Sequence, residues 1–220
     1  MSFYQYLQQA TAAEREYLLS APVIAACQRG EVSLGLYRAF LAQAYHHVSH
    51  TVPLLMAAGA RMPASHEWVR QALVEYIAEE YGHQEWILND LRACGGDAEA
   101  VRQGRPGQAI ELMVAFLYHQ IDRHNPMALF GMVQVLEGTS VAIALTVAGQ
   151  LRQELKLPEQ AMSYLSSHGA LDQEHLRFFA ILMDRITAVE DQEAIVHAAR
   201  VVYRLYGDML RSLEVADGTE

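Results

Sequence analysis

Apolar residues recur along this chain at intervals of three and four, and alternation of period two is nearly absent. Such spacing returns side chains to one helical face, so it predicts helices throughout and no sheet. Proline and glycine interrupt the pattern at Ala21-Pro22, Arg29-Gly30, Met62-Pro63, Gly95-Gly96, Arg105-Pro106, Asn125-Pro126 and Leu157-Pro158. Between these joints the periodicity predicts helices over roughly 3 to 19, 23 to 29, 33 to 60, 65 to 94, 107 to 124, 127 to 155, 159 to 187 and 190 to 213. Ser65 ahead of Glu67 and Trp68, and Pro158 ahead of Glu159, read as helix starts. Several of these segments exceed 20 residues, as in an all-α bundle of long antiparallel helices whose interior can house a site. No repeat or low-complexity segment divides the chain, and residues 1–220 are expected to form one domain.

The longest apolar run, Met127 to Gly149, carries a single charge, Glu137. It is long enough to span a bilayer. Gln134, Thr139, Ser140 and Thr146 dilute it, however, and its flanks lack basic anchors, which predicts a central helix buried on all sides of a bundle and no membrane. Glu137 stands among Met132, Val133, Val135, Leu136, Val141, Ile143 and Leu145, with no Lys or Arg between Arg123 and Arg152. Burying an unpaired carboxylate is so costly that such a group either neutralises or meets a cation.

Two other segments offer partners for that cation. In SYLSSHGALDQEHLR, His168, Asp172 and His175 are spaced by four and three and fall within about 60° on one helical face. A second helix offers AEEYGH, where Glu80 and His83 are three apart and Glu79 and His83 four apart, so either pair can share a metal. Singly, each residue has a plainer explanation as solvated charge or a hydrogen-bonded core histidine. Together, Glu80, His83, Glu137, His168, Asp172 and His175 make three carboxylates and three imidazoles without a thiolate, a set that suits iron or manganese and also accepts zinc.

Charge and cysteines narrow the classes. With 16 Lys plus Arg against 26 Asp plus Glu, the net charge of −10 leaves no basic footprint for nucleic acid. Cys27 and Cys94 lie far apart, and the first residues are polar and aromatic, which predicts a reducing, cytoplasmic setting. Neither cysteine is expected to be carried inward with the proposed site residues, Cys94 standing at a helix end, which counts against a thiol nucleophile.

The series Glu80-x-x-His83, Glu137 and His168-x-x-x-Asp172-x-x-His175 resembles the haem-oxygenase-like diiron oxidases, also called iron-containing redox enzymes, which include CADD-like members. The phrases EEYGHQEWILNDLRACGG and AYHHVSHTVPLL resemble the wider group that holds thiaminase II and pyrroloquinoline-quinone synthase, and the likeness spans roughly residues 10 to 187. It implies a bundle of seven to eight helices and two readily lost iron ions, Fe(II) or Fe(III), with manganese as an alternative. It implies O2 activation to oxidise a small organic substrate, an amine, amino acid or fatty-acid-like molecule, free or tethered to a carrier protein. Two-fold dimers are usual in the family and common among small enzymes, so a homodimer is expected.

Residue by residue, the resemblance makes Glu80 and His83 ligands on one helix, Glu137 the ligand on the next, and His168, Asp172 and His175 those on the third. Glu79 is the alternative first carboxylate, having the better spacing to His83. Some members instead place this glutamate seven residues before the histidine, where this chain has Tyr76. In the wider fold Tyr45, His46, His47 and His50 face the ligand cavity. Tyr81, Tyr118, Tyr164, His119 and the methionines Met56, Met113, Met132 and Met162 are further pocket candidates. The competing reading is a metal-free enzyme of the same fold, either a cofactorless oxidase or a thiaminase-like hydrolase.

Overall fold

The computed structural model of the chain describes residues 1–213, with the side chains of 140–148 and 167–175 left outside the description. Among the described residues there is no strand, and twelve α-helices follow one another: α1 (Phe3–Ala10), α2 (Ala12–Leu19), α3 (Pro22–Gln28), α4 (Leu34–Val48), α5 (Thr51–Arg61), α6 (Glu67–Glu80), α7 (His83–Ala93), α8 (Ala98–Gln103), α9 (Gln108–Arg123), α10 (Leu129–Glu154), α11 (Ser163–Asp184) and α12 (Val189–Ser212). Helix α10 is the hub, packed on α11 and α12 and touching α3, α5 and α9. Its Leu129, Phe130, Met132, Val133 and Val135 are buried, and Phe130 meets Phe179 of α11 with ring centroids 6.4 Å apart. Each such side chain stabilises the fold by roughly 1.5–3 kcal/mol relative to exposure.

Helix α12 turns a stripe of Ile195, Ala199, Val202, Tyr206 and Met209 inward, and packs on α2 and α9 as well as α10. On the other flank α4 lies on α7, α5 on α6 and α9, and α7 on α11. Among the described residues no helix is long and apolar enough to cross a membrane.

Three predicted helices are each broken in two, for local reasons. At Thr11 the buried side-chain hydroxyl donates to Leu7 O (2.8 Å) and the backbone leaves helical angles. The segment 33 to 60 breaks at Ser49 and His50, because Pro53 has no N–H to continue the ladder across them. The segment 65 to 94 breaks at Tyr81-Gly82, where Gly82 takes φ +94°. Helix α8 occupies a stretch predicted as a connection and is capped by Asp97, whose side chain accepts from Glu99 N and Ala100 N. Ser65 sits in a 3-10 turn and bonds its neighbour His66 (2.9 Å) instead of capping α6.

A Cβ on Gly82 would meet nothing within 4 Å, so glycine is required there by backbone angle alone. Gly82→Ala should therefore cost about 1 kcal/mol of left-handed strain, read as a lower urea midpoint at unchanged m value. An unchanged or raised midpoint would show that this reversal is not held in the left-handed form.

Candidate metal centre

The Gly82 reversal builds the first part of the site. Glu80 ends α6 and His83 begins α7, so the single continuous helix expected through both is replaced by a tight turn. The turn nevertheless brings Glu80 Oε2 to 3.1 Å from His83 Nδ1. That separation suits a hydrogen bond, and it equally suits two donors each about 2.1 Å from one cation. His83 is 4% exposed, and its ring stacks on Trp86 at 4.0 Å, which fixes the imidazole plane.

Glu80 and Glu137 line a common cavity of about 130 Å3, together with Tyr76 and His47. Tyr76 lies one turn before Glu80 and is 3% exposed. Burial pushes its phenol up, and the negative charges of Glu137, Glu79 and Glu80 push it further. The Tyr76 hydroxyl is buried with no hydrogen-bond partner among the described residues, and its ring leans on Phe178 of α11 at 5.7 Å. Glu79 is exposed and does not line the cavity.

The remaining predicted residues are distributed unevenly. His47 lines the cavity and is edge-on to Tyr206 at 5.4 Å. Tyr45 and His46 are buried against each other at 5.5 Å, and His50 Nδ1 lies 3.1 Å from the Tyr118 hydroxyl; these four are not among the lining residues. Burial holds His46 and His50 below the usual histidine range, with the nearby His50 adding to the effect on His46. Tyr164 and Met132 line the cavity, Met113 and Met162 are buried elsewhere, and Tyr81, Met56 and His119 are exposed. His168, Asp172 and His175 belong to α11, but their side chains lie outside the described residues. Among the described residues no three His, Cys, Asp or Glu side chains form a metal-binding group.

Two positions differ from what the sequence suggested. Cys27, not expected to be carried inward with the site residues, lines the cavity from α3, although burial pushes its thiol up and so disfavours the thiolate. Asp90 of α7 is fully buried and accepts from Ser163 N (3.1 Å), Tyr164 N (2.9 Å) and the Ser163 hydroxyl. It thereby caps α11, whose own N-cap residue Met162 supplies no side-chain bond. The cue available in the sequence was an acid set between Leu88 and Leu91 on an apolar face. Asp90→Ala should cost about 2–3 kcal/mol by stranding these donors, measured by chemical denaturation. A loss below about 0.5 kcal/mol would show that the cap contributes little.

A family model of iron-containing redox enzymes matches residues 38–207. The chain belongs to this family. No curated protein matches the chain. Among solved structures, a haem-oxygenase-like domain from Shewanella denitrificans OS217 superimposes with TM-score 0.84 at 21% identity, over 97% of this chain and 92% of that one. A TenA homologue from Pseudomonas syringae pv. tomato DC3000 gives 0.76 at 14% identity, over 94% and 90%. A CADD-like protein from Nostoc punctiforme PCC 73102 gives 0.70 at 16% identity, over 95% and 97%. These likenesses establish the all-α, haem-oxygenase-like fold for this iron-containing redox enzyme.

Proposed function

We propose that this iron-containing redox enzyme is a non-haem diiron oxidase, with Glu80, His83, Glu137, His168, Asp172 and His175 as ligands. The observation that carries the reading is the meeting of α6 and α10 carboxylates at one cavity, with His83 on Glu80. The donor set fits iron. Its described part is two carboxylates and an imidazole without thiolate, and no Lys or Arg is among the described lining residues. The exposure of Glu79 favours Glu80 as the first carboxylate.

Two bound irons would supply electrons to O2 and so provide the oxidant. The chain's own groups do the rest. Trp86 stacks on the His83 ring and fixes its plane, so that a ring nitrogen would serve as a donor beside Glu80. Asp90 anchors the first turn of the helix that carries His168, Asp172 and His175. Leu136, Val133 and Leu165 close the cavity wall with apolar surface and keep water away from the reacting end. Tyr76 presents a protonated hydroxyl at that end. The reading includes a small organic substrate, free or carrier-tethered, a cytoplasmic setting and a two-fold dimer.

The test is anaerobic addition of Fe(II) to the full-length protein, followed by iron quantitation and exposure to O2. Two irons per chain with a transient visible absorption and protein-dependent O2 uptake are expected. Less than one iron per chain, with O2 uptake no faster than free Fe(II), would favour the metal-free reading. For the hydrolase form of that reading, Cys27 in the cavity is the supporting feature, and its raised thiol is the feature against it.

A further inference from the structure

We propose that His119 and His124 bind a divalent zinc ion at the C-terminal end of α9, outside the cavity and independently of the diiron reading. Nε2 of His119 and Nε2 of His124 lie 3.2 Å apart, and both side chains are exposed. The sequence spacing does not announce this meeting, because residues five apart on a continuous helix point about 140° away from each other. Helix α9 ends at Arg123, and His124 leaves helical angles at φ −127° and ψ −95°, while its N–H still donates to Gln120 O (3.0 Å). That departure lays the second imidazole against the last turn of the helix.

Ring geometry separates a shared cation from a simple hydrogen bond. In a head-on N–H···N bond of this length each nitrogen points at the other, which sets the ring centroids about 5.5 Å apart. Two imidazoles on one tetrahedral zinc, with bonds of about 2.0–2.1 Å, bring their nitrogens to about 3.2 Å and their centroids to about 5.0 Å. The centroids here are 5.0 Å apart, with the planes inclined at 66°. The two nitrogens therefore converge on a point beside the line that joins them. A tetragonal ion, with ligands at right angles, would draw the nitrogens to about 2.9 Å, so the spacing favours zinc over copper or nickel. Asp122 on the same turn is engaged with Arg61 of α5, and among the described residues no third His, Cys, Asp or Glu completes the group. The remaining positions of the ion are thus open to water or to a donor from solution.

Chromatography of the untagged full-length protein on immobilised Zn2+ at about pH 8, where protons compete weakly for imidazole, reads surface nitrogens and not the cavity. The parent should be retained and released by imidazole. His119→Gln and His124→Gln should each pass through, since one imidazole is left. His197→Gln removes an exposed histidine of α12 that stands edge-on to Phe116 at 5.6 Å, and it should be retained like the parent. In solution, equilibrium dialysis against Zn2+ should leave the double variant with one zinc fewer per chain. Each single variant should bind that zinc at least about 10-fold more weakly, because losing a group that merely orients a ligand already costs as much. The proposal is overturned if the parent passes through, if either single variant is retained like the parent, if His197→Gln abolishes retention, or if the double variant keeps the parental zinc content.

Discussion

Gly131→Ala is expected to lose about 3 kcal/mol of stability, or to prevent folding, although it adds only a methyl group. A Cβ at Gly131 would lie 2.5 Å from Ala199 N, 2.6 Å from Ala198 Cβ and 2.7 Å from Ile195 O. None of these atoms can rotate away, because two belong to the α12 backbone and the third is fixed to it. Helix α12 would have to move outward, and the buried stripe of Ile195, Ala199 and Val202 would lose its contact with the hub helix. Gly149 in the same helix is the control, since a Cβ there meets nothing within 4 Å. Gly149→Ala should stabilise by about 0.5–1 kcal/mol through helix propensity. Urea denaturation of both variants checks the pair, and a Gly131→Ala protein within about 1 kcal/mol of the parent would mean that α10 and α12 are not so closely crossed.

The long helices were legible because burial on several sides leaves a dense apolar signal. Helix α10 was expected over 127 to 155 and runs Leu129–Glu154, and α12 was expected over 190 to 213 and runs Val189–Ser212. The Tyr81-Gly82 reversal was not legible, because apolar spacing continues on both sides of it and one left-handed residue does not change a periodicity. Glu137 could be singled out as an acid amid apolar residues, and Glu80 by its three-residue spacing to His83. Tyr76 could not be singled out on the same ground, since an aromatic at helical spacing is usually core; what distinguishes it is an unpaired hydroxyl visible only in the fold. Asp90 acts on residues 73 and 74 positions away, so no local pattern announces the cap. Tyr45, His46 and His47 are consecutive and spread over about 200° of a helix, which is why one of the three reaches the cavity and two do not.

Glu137→Gln should fold like the parent, bind fewer than two irons and consume O2 at least about 100-fold more slowly. The substitution keeps the side chain's shape and removes its charge. In the metal-free chain this removes a negative charge from a half-buried position on the cavity that Glu80 also lines, so the thermal midpoint should hold or rise. In the iron-loaded chain it removes an anionic oxygen donor. Loss of a group that merely orients a ligand already costs about 10–100-fold in metal affinity, so loss of a ligand's charge should cost no less. Glu79→Gln, at an exposed position beside the site, should leave both iron stoichiometry and O2 uptake at parental values, while Glu80→Gln should behave like Glu137→Gln. Iron quantitation, thermal denaturation with and without Fe(II), and O2 uptake separate these outcomes. If Glu137→Gln keeps two irons and parental O2 consumption, Glu137 is not a ligand and the six-residue cage is wrong. If Glu79→Gln fails while Glu80→Gln does not, the cage stands with its first carboxylate moved by one residue.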